Sequence, residues 1–480
     1  MSSQFDQVVI ILADGVRPDL MQNLLDQGKL PGIAGLFPSA GAGNIDCATT
    51  VFPSTTGPAH LPFVTGQYPG RCNIPGIRWF DPEAYGGGPL SAHRFRSYMG
   101  LGNFFAASDL AKDVPTLFEL VADHTSIAGN VRRGVRFSRD LTRWAKLKNN
   151  VQSFLAEEWS RFDRVVGKKM VASFNAGHEL TFAVFYAADS LSHKFGPEHA
   201  QTLGAYQVMD EAVAELHQEL KRTGRLERTL VALVSDHGQS ATAEHLDLHQ
   251  LVEKEVGRCL AHPTIWRGYL KANAAVMVSG NAMANVYLKG RQGWSSRIFL
   301  DEAQGEANGL LKTLLGEEAV DLVLGRALNG GAMICGKGGS ARVSREGNKI
   351  RYEIEGTDPL GCGDRLQGCH DDRELLALTW DSDYPDAPMQ ALQLIESARC
   401  GHLVLSATPG YDLRARFEKP AHLGSHGSLH RLHMRVPQMF NHPLNGRTSS
   451  TPNRTVDVFP TILKALGVPA PGPLAGDSLI

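Results

Sequence analysis

Val8-Val9-Ile10-Ile11-Leu12-Ala13-Asp14 is the stretch on which the reading of the fold turns. An apolar run rich in β-branched residues, with no polar alternation, suits a strand covered on both faces. The same form recurs at Phe182 to Ala187, ending near Asp189, and at Leu230 to Val234, ending at Asp236. Helical patterns lie between these runs. Pro18 to Leu25 opens on a first-turn proline and stops at Gly28, and after Pro197 the residues Leu203, Tyr206, Met209, Val213, Leu216 and Leu220 recur every three or four positions until Gly224. Strand, helix, strand alternation predicts an α/β fold with a mostly parallel central sheet flanked by helices.

Further along, the texture changes. From 246 to 395, Ala274 to Leu288 and Ala332 to Glu355 alternate or are broken by glycine, as hairpins are, so this segment is expected to be an inserted α+β cap. The α/β pattern is expected to resume at His402-Leu403-Val404-Leu405-Ser406, with a last helix near Val458 to Leu466. The predicted division is a core of 1–245 and 396–480 around the 246–395 insertion.

Composition excludes several classes. Over 480 residues, 48 Lys and Arg face 50 Asp and Glu, and a net charge of −2 argues against stable nucleic-acid binding by bulk charge. No run of eighteen apolar residues predicts a membrane span. Only seven residues precede the first strand, which leaves no room for a signal peptide, so the expected location is cytoplasmic. Seven scattered cysteines without a Cys-x-x-Cys pair are expected to be free thiols.

Open parallel sheets bind ligands at the carboxyl ends of their strands, where each of the three apolar runs delivers an aspartate. One strand-end aspartate commonly does no more than cap a helix or make a turn. Here Asp189-Ser190-Leu191-Ser192-His193 and Asp236-His237 add imidazoles, and His426, His430 and His433 follow in a histidine-rich segment. Carboxylate oxygen with imidazole nitrogen suits zinc or another borderline divalent ion, whereas calcium would call for oxygen alone. Ser54-Thr55-Thr56-Gly57-Pro58-Ala59-His60 supplies hydroxyls, which a metal can activate as nucleophiles at neutral pH.

These residues resemble the alkaline phosphatase superfamily, in its branch of type I phosphodiesterases and nucleotide pyrophosphatases. The resemblance rests on Asp14-Gly15-Val16-Arg17-Pro18, Thr56-Gly57-Pro58-Ala59-His60 with Thr65-Gly66-Gln67-Tyr68-Pro69, Asp189-x3-His193 with Gly196-Pro197, Ser235-Asp236-His237-Gly238, and Gly424-x-His426-Gly427. It implies an alkaline phosphatase-like core and two divalent ions, zinc before manganese or iron. It implies one metal site from Asp14, Asp236, His237 and the Thr56 hydroxyl, and another from Asp189, His193 and His426. It also implies a covalent phosphothreonine. Thr56 is preferred to Thr55 because the family nucleophile stands nine residues before the threonine matched by Thr65. The expected activity is hydrolysis of a phosphodiester or phosphoanhydride on a small-molecule phosphate ester.

Departures bear on the substrate. Cys72 stands where these enzymes usually have histidine, and Ile77 where an asparagine donates to a phosphoryl oxygen. Asn73 and Arg78 are the candidates for the missing donor. A guanidinium there would favour a more anionic group such as a monoester, while Trp79-Phe80 would either stack on a leaving group or pack in the core. A phosphomonoesterase, and a C–P hydrolase like phosphonoacetate hydrolase, are the alternatives within the superfamily. Sulfatases are disfavoured because no Cys/Ser-x-Pro-x-Arg context surrounds Thr56. A non-catalytic metal-binding homologue is the alternative from a different class. The sequence leaves the oligomeric state open.

Overall fold

The computed structural model describes residues 3–84, 95–99, 101–142, 156–261, 272–302, 306–443 and 452–480. Its first sheet contains β1 (Gln7–Ala13), β2 (Cys47–Thr49), β3 (His124–Ile127), β4 (Leu180–Phe185), β5 (Thr229–Ser235), β6 (Arg435–Phe440) and β7 (Asn453–Arg454), in the order β7-β2-β6-β5-β1-β4-β3. From β5 to β3 all neighbours run parallel, and β6 returns antiparallel to β5. Every residue of β1, β4 and β5 is buried, as unbroken apolar runs require when helices cover both faces. Helices that pack around this sheet or close to it include α1 (Pro18–Asp26), α2 (Ala156–Asn175), α3 (Ala187–Phe195), α4 (Ala200–Arg222) and α5 (Val458–Ala465).

The register builds the site. Ala13 pairs with Ser235 on one side and Phe185 on the other, so Asp14, Asp236 and Tyr186 emerge side by side where the chain leaves the sheet. Gly15 makes the turn after Asp14 at φ +72. A Cβ there would lie 2.4 Å from Gln239 Nε2 and 2.9 Å from Asp189 Cβ, so only glycine lets the strand end close on the neighbouring loops.

A second sheet, almost wholly antiparallel, contains nine strands. It includes the hairpins Ala274–Ser279/Met283–Leu288 and Gly339–Glu346/Lys349–Gly356, where the sequence predicts them. Leu403–Ala407, expected to resume the parallel pattern, lies instead inside this second sheet, antiparallel to Met283–Leu288 and to Val320–Arg326. A short buried apolar run looks alike in either kind of sheet, so its pairing is not legible locally. The tip of the first hairpin reaches the first sheet's loops, where His426 N donates to Gly280 O at 2.8 Å and Ala282 N to His426 O at 3.0 Å. All seven cysteines are free. No helix among the described residues is long and apolar enough to cross a membrane.

Candidate active site

Asp14, Asp236 and His237 come from the ends of β1 and β5 and are wholly buried. His237 Nε2 lies 3.3 Å from Asp14 Oδ1 and 3.4 Å from Asp236 Oδ2. Asp189 and His193 sit one turn apart on α3, beyond the end of β4, and their i,i+4 spacing turns both to one face. His193 Nε2 is 3.4 Å from Asp189 Oδ1, and His426 Nε2 is 3.6 Å from the same oxygen and 3.2 Å from His193 Nε2. The two groups adjoin, with the His237 and His426 rings stacked at 3.8 Å between centroids.

Three observations fit these groups to divalent cations. Each histidine is fixed through Nδ1 to a backbone carbonyl, His237 to Gly238 at 3.1 Å, His193 to Gly424 at 2.8 Å and His426 to Ser54 at 3.1 Å. Nδ1–H therefore donates outward and Nε2 is the ring atom turned to the carboxylates, where a cation can take the place of a proton. Asp14 Oδ2 and Asp236 Oδ2 are buried, and among the described residues only imidazole nitrogens approach them as ion-pair partners, of His60 in both cases and also of His237 for Asp236. Ligand atoms of Asp14, Asp236 and His237, and likewise of Asp189, His237 and His426, lie within 4.8 Å of one another.

The electrostatics agree. Burial pushes the Asp14 carboxyl up, but hydrogen bonds from His237 and His60 outweigh it and hold the group below the usual range. Burial and the adjacent Asp14 charge keep Asp236 raised. Burial works against a charged His237, yet Asp236 and Asp14 push it up to about 10. Burial, then His237 and His193, keep His426 far below its ordinary value and so neutral. The pocket thus demands positive charge that only protons or a cation can bring.

Thr56 sits over the first group. Its Oγ1 donates to Asp14 Oδ1 at 3.2 Å and lies 3.1 Å from His237 Nε2. Thr55 is wholly buried and its hydroxyl has no hydrogen-bond partner among the described residues. Both threonines border a cavity of about 510 Å³ floored by Asp14, Asp189, His193 and His426. Leu61, Ile74, Ile77, Val131 and Trp159 form an apolar side, and Arg78, Arg414, Lys419 and His422 a basic one.

The two candidate phosphoryl donors part company here. Arg78 borders the cavity, its Nη1 donating to Glu418 Oε2 at 2.8 Å. Asn73 does not border it, because at φ +59 its side chain turns away and Oδ1 accepts from Ser397 Oγ at 2.8 Å. Trp79 and Phe80 are core residues. Arg399 lies over the Trp79 ring at 4.3 Å, and Phe80 packs on Tyr287 and Trp294.

Some functional neighbours have no counterpart in the sequence reading. His60, noted there only as part of a motif, is 1% exposed and places Nε2 3.1 Å from Asp236 Oδ2 and 3.6 Å from Asp14 Oδ2. Gln239 Nε2 donates to Asp189 Oδ1 at 2.5 Å. His422, its ring 4.6 Å from that of His193, accepts at Nδ1 from Asn281 Nδ2 at 2.7 Å.

A mostly parallel α/β sheet carrying one buried and one partly buried Asp/His group and an adjoining hydroxyl at its strand ends is the framework of a metal-dependent hydrolase. The sequence profile of type I phosphodiesterase/nucleotide pyrophosphatase matches residues 8–308, and the chain belongs to that family, as a hydrolase acting on phosphoric esters. Its fold is similar to that of phosphonoacetate hydrolase from Sinorhizobium meliloti 1021 in complex with phosphonoacetate. The TM-score is 0.60 and the identity 16%, over 96% of this chain and 95% of that one. Murine ectonucleotide pyrophosphatase/phosphodiesterase 5 is similar too, at TM-score 0.58 and 14% identity over 98% and 97% of the two chains. An inactive threonine-to-alanine form of the murine protein in complex with AMP matches at TM-score 0.57.

Proposed function

We propose that the chain hydrolyses a phosphodiester or phosphoanhydride through a covalent phosphothreonine on Thr56. The observation that carries this reading is the Thr56 hydroxyl, open to the cavity while hydrogen-bonded to Asp14 and beside His237. Asp14, Asp236, His237 and the Thr56 hydroxyl would hold one ion and Asp189, His193 and His426 the other. Zinc suits this nitrogen and oxygen set better than manganese or iron. When bound, the two ions would lower the pKa of the attacking hydroxyl and offset charge on the phosphoryl and leaving oxygens.

The chain's own groups do the rest. Asp14 aims the Thr56 oxygen, whose proton passes to solvent, and the Oγ–P bond forms as the bond to the leaving oxygen breaks. Water then cleaves the Thr56–phosphoryl bond and returns the hydroxyl. Ile77 and Leu61 line the same cavity and would limit its hydration. The second sheet, built largely from 246–395, is assigned to substrate choice, because its hairpin tip meets the His426 loop and the basic wall.

A second reading, hydrolysis of a monoester or of a C–P bond, is favoured by that basic wall. Turnover of bis(p-nitrophenyl) phosphate, a p-nitrophenyl nucleotide, p-nitrophenyl phosphate and phosphonoacetate separates the two readings. Diester turnover well above the others is the expected result, and monoester or phosphonate turnover far above diester turnover overturns the lead. Acid-quenched enzyme, digested and mass-mapped during turnover, should carry the adduct on Thr56. Thr56→Ala should lose about 10³-fold or more in kcat and keep its metal. An adduct on Thr55, or full activity of Thr56→Ala, contradicts the assignment.

A further inference from the structure

Arg78 and Arg414 meet across Glu418 on the cavity wall. The Glu418 carboxylate takes Arg78 Nη1 at 2.8 Å, while its carbonyl and that of Pro420 take Arg414 Nη2 at 2.6 and 2.7 Å. Arg414 is 6% exposed and the Arg78 side chain 15%. Burying two guanidiniums is costly unless their donors are used, yet both Nε groups are buried without a partner. Arg78 Nη2 and Arg414 Nη1 also make no hydrogen bond among the described residues.

The charge is not balanced either. Arg78, Arg414 and Lys419 face the cavity with Glu418 as the one carboxylate of that wall. Asp412, the other acid that acts on Arg414, is bonded to His245. His422 adds a neutral donor, since Asn281 occupies its Nδ1 and leaves the hydrogen on Nε2. Its ring lies 4.6 Å from that of His193, which joins this wall to the Asp189/His193/His426 group.

The geometry points to an anion subsite beside that group, formed by Arg78, Arg414 and His422, which holds a carboxylate or a further phosphoryl group carried by the substrate beyond the reacting phosphorus. The inference rests on the phosphoryl-transfer reading of the metal groups and names the substrate class for it, a phosphoryl compound with a second negative charge. The guanidinium forks match either oxyanion. Exposed Lys419 at the rim would raise the local concentration of such an anion.

Calorimetry on the metal-loaded protein, with free metal buffered, tests this using four probes: methylphosphonate, phosphonoacetate, 2-aminoethylphosphonate and methylenediphosphonate. Phosphonoacetate should bind at least about tenfold tighter than methylphosphonate, the worth of one charge-assisted hydrogen bond. The cationic 2-aminoethyl compound should bind more weakly than either. Methylenediphosphonate tighter than phosphonoacetate identifies a second phosphoryl group as the natural occupant, and the reverse order a carboxylate. Glu418→Gln, which frees Arg78, should widen the phosphonoacetate preference. Arg78→Met/Glu418→Gln and Arg414→Lys should each reduce it to about threefold or less. Should Arg414→Lys fail to fold, Glu418→Gln still decides, because a merely structural role predicts no gain. Equal affinity for methylphosphonate and phosphonoacetate, or a preference indifferent to Glu418→Gln and to the double variant, overturns the subsite alone. Failure of every probe to bind, methylphosphonate included, overturns the phosphoryl site on which it rests.

Discussion

Replacing His60 removes a buried group that touches both strand-end carboxylates without belonging to either metal group. Its Nε2 lies 3.1 Å from Asp236 Oδ2 and 3.6 Å from Asp14 Oδ2. On its far side, Nδ1 faces Asn130 Nδ2 at 3.4 Å, so a neutral His60 keeps its hydrogen on Nε2 and points it at the carboxylates. Groups in this position orient ligating oxygens, and losing one costs about 10- to 100-fold in metal affinity, roughly 1.4 to 2.7 kcal/mol. The pH dependence has a definite sign. His60 lowers both Asp14 and Asp236, so His60→Ala raises them and a cation must displace protons up to a higher pH. Competition with a chromogenic chelator from pH 5 to 8 should show His60→Ala weakest, His60→Gln intermediate, and the deficit growing as pH falls. Metal affinity within threefold of wild type at every pH would refute the reasoning.

Three further outcomes follow from other parts of the molecule. Gly15→Ala forces a side chain into the left-handed region and against Gln239 and Asp189, so it should cost about 1 to 2 kcal/mol in stability. It should also lower metal content, and wild-type metal content would argue that the turn is not what holds the two groups together. Arg454, 1% exposed, clamps buried Asp386 at 2.5 Å and Asp372 at 2.6 Å, so Arg454→Met should destabilise by about 3 to 5 kcal/mol in denaturant titrations. Adding Asp386→Asn should recover part of that loss, whereas no recovery would mean the buried charge is not the cause. Burial raises Asp163, which accepts from Tyr186 N and Ala187 N at the start of α3, to about 7 despite those bonds. The folded state then holds a proton that the unfolded chain releases, a contribution fully present below pH 3.8 and lost as pH rises through about 7. Stability should therefore fall across that window by up to roughly 1.4 kcal/mol per unit, and Asp163→Asn should flatten the fall; an equal slope in both proteins would contradict it.

The elements that carry Asp14, Asp189 and Asp236 are legible in the sequence because β1, β4 and β5 are buried on both faces, and burial leaves an unbroken apolar run. Helix α4 is legible because one of its faces repeats at the helical period. Asp189 is less so: β4 ends at Phe185, and the aspartate stands in the first turn of α3, which gives it His193 as an i,i+4 partner. Leu403–Ala407 misleads because pairing direction leaves no trace in a short apolar strand. Asn73 misleads because proximity in sequence ignores the turn that aims it at Ser397. Arg78 and Glu418 meet across 340 residues, and Arg414 and His422 lie in a loop with no motif, so the basic wall exists only once both sheets are folded.

The central claim is that two separate ions sit side by side, one on Asp14, Asp236, His237 and the Thr56 hydroxyl and the other on Asp189, His193 and His426. Anomalous X-ray scattering at the zinc edge, from crystals of metal-loaded protein, tests it most directly. Two peaks are expected, one enclosed by Asp14, Asp236 and His237 and one by Asp189, His193 and His426, and Asp189→Asn should weaken only the second. A single peak, or none at these residues, would contradict the account.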